Sequence, residues 1–526
     1  MFISGLFSWM SGQDVSWDLL NYHLYNPYAF LTGRLQTDIM PAGIHTFLNP
    51  LLDIPLFLLI KYFNTFPQLI AFIQGLWGGA LGFVVYKISQ LVFPQKEQQV
   101  HALLACAIGL TGSMLVSQMG LSYNEVPMAF FLCLSFYWLL VFLLKEPHKI
   151  KWVFWSAFIA GAAGGLKYTG APFVLGLTVA FFINLPTYQR PLKTTCLFAL
   201  GGITGFLLTN GYFIFHYYVS YRNPLFPFFN DFFQSPYFDP VNFDEVRFYP
   251  RHVWQWLFYP FFWIFPNQWV VSEPIVADAR LALAQLSFLV LLPAALTSKL
   301  KAHTSRCLVR ALLAFCAVGF ILWMNFYGIL RYLVTLEALS GFLIVLALRQ
   351  FFSNRLVTVL VLIILTGLAC HTIYPDWGRE MYSKHAIEIT PQPQVEKNAL
   401  VLLVGSPTSF IAPFFPKDTR FIGGIKLPVS KFPQKYWSAA TQRYPLTKLY
   451  YAYHFEEPVQ QTINAHTGPI YLLTIPWDLM LDPLFLEPLG LKASAKPCQD
   501  FDTNLNIYVT GYTLCPLEKM GPEDSQ

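Results

Sequence analysis

The sequence predicts a polytopic α-helical membrane protein with a small C-terminal α/β domain outside the membrane. Three observations predict it. Of 526 residues, 55% are hydrophobic and only 12% are charged, against about 25% charged in soluble domains. Apolar stretches recur at the roughly 20-residue length that crosses a hydrocarbon core as a helix. Residues 375–526 then change character, with polar stretches, many prolines and no further span. The formal net charge of +5 comes from basic residues spread among loops rather than from a basic patch, so no nucleic-acid partner is expected.

Taken in order, residues 1–11 (MFISGLFSWMS) are apolar but too short to span, and they lack the basic region of a signal peptide. They read as a membrane-edge helix or as the remnant of a start whose first transmembrane helix lies upstream. We expect the second, because the loop that follows needs an anchor. The next spans are predicted near 64–93, 100–118, 125–144, 152–166, 169–185, 194–219, 281–297, 311–328, 333–348 and 356–374, or roughly 10–11 transmembrane helices in all. Lys96, then Lys145, Lys149 and Lys151, then Arg190 and Lys193, then Lys299, Lys301, Arg306 and Arg310, then Arg349 and Arg355 fall in alternate loops. The positive-inside rule makes those loops cytoplasmic. The other side receives a first outer loop (11–63), short turns near 119–124, 167–170 and 329–332, a large loop (220–280) and the tail. The expected organisation is a membrane domain over 1–374 and an outer domain over 375–526.

In that tail, ALVLLVG (399–405) and PIYLLTIP (469–476) are short apolar runs bounded by turn residues and read as buried strands. Cys498 and Cys515 both fall there, in an oxidising compartment, and a disulfide between them is expected. The other six cysteines lie in or beside spans and read as small packing residues. No CxxC, HExxH, P-loop or GxGxxG signature stands out. No metal site is assigned. A divalent cation beside the acids stays open, although no ligand pair at helical spacing argues for one.

The outer face collects unusual polar groups. The first loop carries Asp14, Asp18, His23, Arg34, Asp38 and Asp53; GLSYNEVPM (120–128) places Glu125 at the mouth of a helix. GGLKYTG places Lys167, and YGILRYL places Arg331 and Tyr332, at the membrane edge. Ionisable groups at membrane depth are expensive and mark functional sites by default. Basic groups beside an acidic cluster suit a lipid phosphate next to a catalytic carboxylate. Each residue also has a plainer reading. Asp14 and Asp18 can be caps or solvated loop residues, Glu125 an anion at a helix N-terminus, and His23 and Asp53 structural groups. Lys167 and Arg331 can be snorkelling side chains, and the aromatic richness of 220–265 an interfacial belt.

Asp18, then Tyr22, then Gly33-Arg34 resemble the first outer loop of the GT-C glycosyltransferases, such as lipid A aminoarabinose transferases and protein O-mannosyltransferases. Glu125-Val126-Pro127 resembles that family's acid-x-Pro helix start, and AGAAGGLKYTGAP (160–172) its Gly-rich helix ending in Lys-Tyr. RNPLFPFFN (222–230) is similar to the Asn-Pro-aromatic loop of bacterial members. The resemblance covers about residues 12–375. Where many members have an Asp-Glu pair, Leu19 stands at the second position here.

The resemblance implies a multi-pass protein of the bacterial inner membrane with its C-terminal domain in the periplasm. It implies a polyprenyl-phosphate-linked sugar as donor, and a glycan, lipid or protein hydroxyl as acceptor. Asp18 would be the catalytic base, Glu125, His23 and Asp14 groups that support it from behind or orient the acceptor, and Lys167, Arg331 and Tyr332 the binders of the donor phosphate. No cofactor is implied. Three alternatives remain, one of them a structural or receptor-like membrane protein that binds a partner through its outer domain, which leaves the acidic loop and the Lys-Tyr turn unexplained. An O-antigen polymerase or ligase shares lipid-linked donors but relies on arginines in large outer loops. A transporter or flippase calls for internal symmetry and mid-bilayer charge clusters.

Overall fold

The computed structural model describes residues 1–147, 149–242, 246–297, 300, 305–425, 453–475, 481, 483–505 and 511–521. Lys299 and Lys301 of the charged-loop series lie outside the described residues. The chain folds as two compact units. One comprises Met1–Ser11, Ala71–Tyr212 and Asp244–Trp377; the other comprises Gly12–Ile70, Phe213–Phe243 and Gly378–Gln526.

The first unit is helical. Among the described residues, 6 helices of the chain are long and apolar enough to cross a membrane: Pro67–Val92, Glu125–Leu144, Pro191–Tyr221, Arg306–Phe326, Leu330–Phe351 and Asn354–His371. The spans expected near 152–166, 169–185 and 281–297 are helices as well, Lys151–Leu166, Ala171–Phe182 and Arg280–Leu296, of 16, 12 and 17 residues. The span expected at 100–118 is broken into Gln99–Leu110 and Ser113–Gln118. Gly112 between them is extended, and a Cβ there would come within 2.0 Å of the Glu337 carboxyl carbon. Only glycine fits at this break.

Helix Val334–Phe351 is the core of this unit, with every residue from Val334 to Ala347 buried. It packs against Gln99–Leu110, Arg280–Leu296 and Glu125–Leu144. Small residues set the first crossing. A Cβ on Gly109 would lie 2.2 Å from the Ala338 carbonyl oxygen, and one on Gly341 2.0 Å from that of Ala105. Close backbone approach of this kind drives helix association where lipid removes the hydrophobic incentive. Helix Lys151–Leu166 ends because Lys167 is extended, and Pro172 opens the next helix in its first turn.

The second unit is built on strands β1 (Gln13–Asp14), β2 (Arg379–Glu380), β3 (Ile389–Thr390), β4 (Leu400–Val404), β5 (Arg420–Ile422), β6 (Ile470–Thr474), β7 (Leu491–Ala493), β8 (Gln499–Thr503) and β9 (Tyr512–Lys519). β1 and β2 pair antiparallel. The main sheet runs β3-β8-β9-β6-β4-β5, with β7 also on β9; β4 is parallel to β5 and β6, and the other pairings are antiparallel. The two apolar runs expected as strands are β4 and β6, and every residue of both is buried. A continuous apolar run is what a strand covered on both faces requires.

Side chains alternate between the two faces. Val401 and Leu403 join a core with Leu19, Leu20 and Tyr22, whereas Leu400, Leu402 and Val404 join a second core with Phe47, Phe213 and Phe226. The tail therefore buries its sheet against the segment that carries Asp18 on one side and against the 213–243 segment on the other. Cys498 and Cys515 are disulfide-bonded.

Candidate active site

The acidic residues of the first loop lie in the sheet unit. Asp18 is buried at 5% exposure and heads a π-helical turn, Leu19–His23. Such widened turns are rare and recur at functional sites. Tyr22 donates its hydroxyl proton to Asp18 Oδ2 at 2.9 Å. The Tyr22 ring is stacked on His45, with centroids 4.9 Å apart and planes 10° apart. Asn21 Nδ2 lies 3.1 Å from His45 Nδ1, and Trp17 meets that imidazole edge-on. His23 is paired through Nδ1 with Asp53 Oδ1 at 2.7 Å, the two side chains being 1% and 3% exposed. The 3-10 helix Ser409–Phe414, between β4 and β5, supports this turn, where the Ser409 hydroxyl donates to the Asn21 carbonyl.

Other first-loop groups have structural partners. Asp14 Oδ1 accepts the Ser16 amide and caps the turn after β1. Arg34 donates to the Thr419 and Lys417 carbonyls, and Asp38 accepts from Tyr25, Arg34 and the Phe421 amide. This ties the loop to β5. Burial pushes the Asp38 carboxyl up, with Arg34 pulling the other way, and burial followed by the charge of Asp38 raises the Tyr25 phenol. A cavity in the same unit is lined by Tyr25, Asn26, Arg34, Asp38, His216 and Tyr221; Asp18 does not line it.

The predicted phosphate binders lie in the helical unit, and the fold gathers them. Lys167 Nζ is 2.6 Å from Glu125 Oε1, the side chains 15% and 3% exposed. Lys167 stands over the Tyr332 ring at 5.6 Å, and Arg331 over the same ring at 5.3 Å. Tyr123 at 4.8 Å and Trp377 at 5.8 Å complete an aromatic box around the Arg331 guanidinium. Each cation–ring contact is worth about 0.5–2 kcal/mol, depending on desolvation. The Lys-Tyr turn is held by Tyr327, which donates to the Tyr168 carbonyl at 3.0 Å, and by Asn210 on the Tyr168 hydroxyl. Glu125 thus anchors one cation while the aromatic box orients the other. One ring thus faces a guanidinium and an ammonium, the ammonium already paired with the Glu125 carboxylate.

Among the described residues, no group of three or more His, Cys, Asp or Glu side chains is set to hold a metal ion. Sequence reasoning missed several residues of these clusters. His45 sits in the unremarkable turn AGIHTF and carries no local signal. The buried charges Asp278, Arg280 and Glu337 did have one, since Glu337 interrupts an apolar span.

A membrane-helix unit and a sheet-bearing tail agree with the fold that the resemblance to the GT-C membrane glycosyltransferases implies. The chain is a multi-pass membrane protein with that fold. The sequence model of the dolichyl-phosphate-mannose-protein mannosyltransferase family matches residues 53–214, a stretch that includes Glu125 and Lys167 but neither Asp18 nor Arg331. The crystal structure of ArnT from Cupriavidus metallidurans bound to undecaprenyl phosphate is similar over 98% of this chain and 97% of that chain, with a TM-score of 0.50 and 12% sequence identity. The apo structure of the same ArnT gives a TM-score of 0.42 at 13% identity, over 98% of this chain and 96% of that chain. No curated protein matches the chain.

Proposed function

We propose that this protein is an inverting glycosyltransferase that moves a sugar from a polyprenyl-phosphate donor to an acceptor hydroxyl on the periplasmic face of a bacterial inner membrane. One observation carries the reading: Lys167 and Arg331 of the membrane-helix unit converge on a single tyrosine ring. The family-model match and the fold support it, as does the undecaprenyl phosphate held by ArnT. The alternating charged loops support the orientation.

In this reading the acceptor oxygen attacks the anomeric carbon while the bond from that carbon to the phosphate oxygen breaks. The electron pair leaves on the phosphate, the hydroxyl proton passes to the Asp18 carboxylate, and the configuration inverts. Tyr22 orients the base through its hydrogen bond to Oδ2. Lys167, as a point charge, and Arg331, as a fork of donors, stabilise the charge developing on the leaving phosphate. Glu125 holds Lys167 in place. His23, pinned by Asp53, supports the turn that carries Asp18.

General-base assistance is worth about 10²–10⁴-fold, so Asp18→Asn is expected to lower transfer by that factor while the protein still folds. The substrate pair for the assay comes from lipid and glycan profiling of a deletion strain, in which a lipid-linked sugar is expected to accumulate. Wild-type rates from Asp18→Asn would remove the assigned base.

A further inference from the structure

We infer that Glu337, with Asp278 and Arg280, is a positioning group for Arg331 and acts through the short helix Ser113–Gln118. The inference rests on the lipid-phosphate reading of Lys167 and Arg331. All the residues involved belong to the helical unit.

The break at Thr111-Gly112 leaves the last carbonyls of one helix and the first amides of the next without helical partners. Buried charges take them. Glu337 Oε1 accepts the Met114 amide at 3.1 Å, and Oε2 accepts the Leu115 amide at 2.8 Å. The Ser113 hydroxyl donates to Oε1 at 3.3 Å, and the Ser113 amide to Asp278 Oδ2 at 3.0 Å. Arg280 neutralises Asp278 at 2.8 Å and donates from Nε to the Ile108 carbonyl at 2.9 Å. It also donates to the Thr111 and Thr372 hydroxyls. Asp278, Arg280 and Glu337 are 3%, 1% and 3% exposed.

The far end of the short helix reaches the phosphate-binding group. Gln118 Nε2 donates to the Arg331 carbonyl at 3.3 Å. Ser117 Oγ accepts from Trp377 Nε1 at 3.1 Å, and Trp377 is a wall of the Arg331 box. Arg331 lies in the turn Leu330–Leu333, which leads directly into the helix carrying Glu337. The short helix is therefore stapled to one element at both ends, by Glu337 at its start and by the Arg331 carbonyl at its finish. Both side chains that orient Arg331 from this direction depend on the Glu337 carboxylate. Burying three ionisable groups is costly, and here they hold the start of a short helix whose far end meets the Arg331 carbonyl and Trp377.

The probe is undecaprenyl phosphate, titrated by native mass spectrometry against the full chain in nanodiscs. Glu337→Gln keeps the shape but gives up one amide acceptor, and about tenfold weaker binding is expected, the coupling typical of residues in one network. Gln118→Leu is expected to weaken binding about fivefold by the same route. Combined with Arg331→Lys, Glu337→Gln should add less than about twofold, whereas with Lys167→Met its full factor should multiply. A merely structural loss would multiply with both. Wild-type affinity in Glu337→Gln, or full multiplication with Arg331→Lys, overturns the inference. Where Glu337→Gln does not fold, wild-type affinity in Gln118→Leu overturns it. If wild type itself does not bind the probe, the lipid-phosphate reading fails and the inference falls with it. If Arg331→Lys binds weakly while Glu337→Gln binds normally, only the inference fails.

Discussion

At the scale of single residues, the assigned base is defined by what surrounds it. Asp18 is buried, where a carboxylate needs a donor, and Tyr22 supplies one from the same turn. Hydrogen bonds to charged groups contribute about 1.5–3 kcal/mol. Tyr22→Phe is therefore expected to cut transfer by about 10–100-fold with little change in the apparent affinity for donor, as measured by kcat and KM on the same lipid-linked substrate. An unchanged kcat would show that Asp18 needs no support from Tyr22. The spacing of Asp18 and Tyr22 is visible in the sequence, but the widened turn that carries them is not. His45 comes from a later loop, and only folding brings it against Tyr22. Arg34 and Asp38 read as members of the same polar group, yet they serve as a tie to the strand at 420–422.

At the scale of elements, apolar length alone locates the helices well, because a lipid-facing helix must be apolar along its whole course. It fails at 100–118. Thr111 and Gly112 are weak local breakers, and the decisive partner, Glu337, lies more than two hundred residues away. The helix crossings are likewise set by small residues whose partners are remote. Gly341→Val places a branched side chain where backbone of the neighbouring helix already stands. Overpacking costs about 1–3 kcal/mol and sometimes more, and the expected outcome is a lower melting temperature and a broadened gel-filtration profile in detergent. A variant that melts like wild type would mean the two helices do not cross so closely.

At the scale of the whole molecule, the tail is the larger surprise. Its two apolar strands are legible because both their faces are buried, so the runs are uninterrupted. What covers those faces is not legible. A small sheet cannot bury both sides of itself, and the covering residues come from 12–70 and 213–243, far away along the chain. The disulfide belongs to this scale, since it ties β9 to the segment entering β8. Cys498 and Cys515 are expected to resist alkylation in protein extracted without reductant and to react fully after reduction, as read by mass spectrometry. Alkylation of both without reductant would count against a periplasmic tail.

By itself the sequence determined the solvent of this protein, the helical course of its apolar spans and the identity of its buried strands. Each of these follows from local composition, because desolvation and helix length act on neighbouring residues. Only the tertiary structure decided which charges meet, where a span breaks and what the tail rests on. Those outcomes depend on burying polar groups against remote partners, and no local pattern encodes a partner hundreds of residues away.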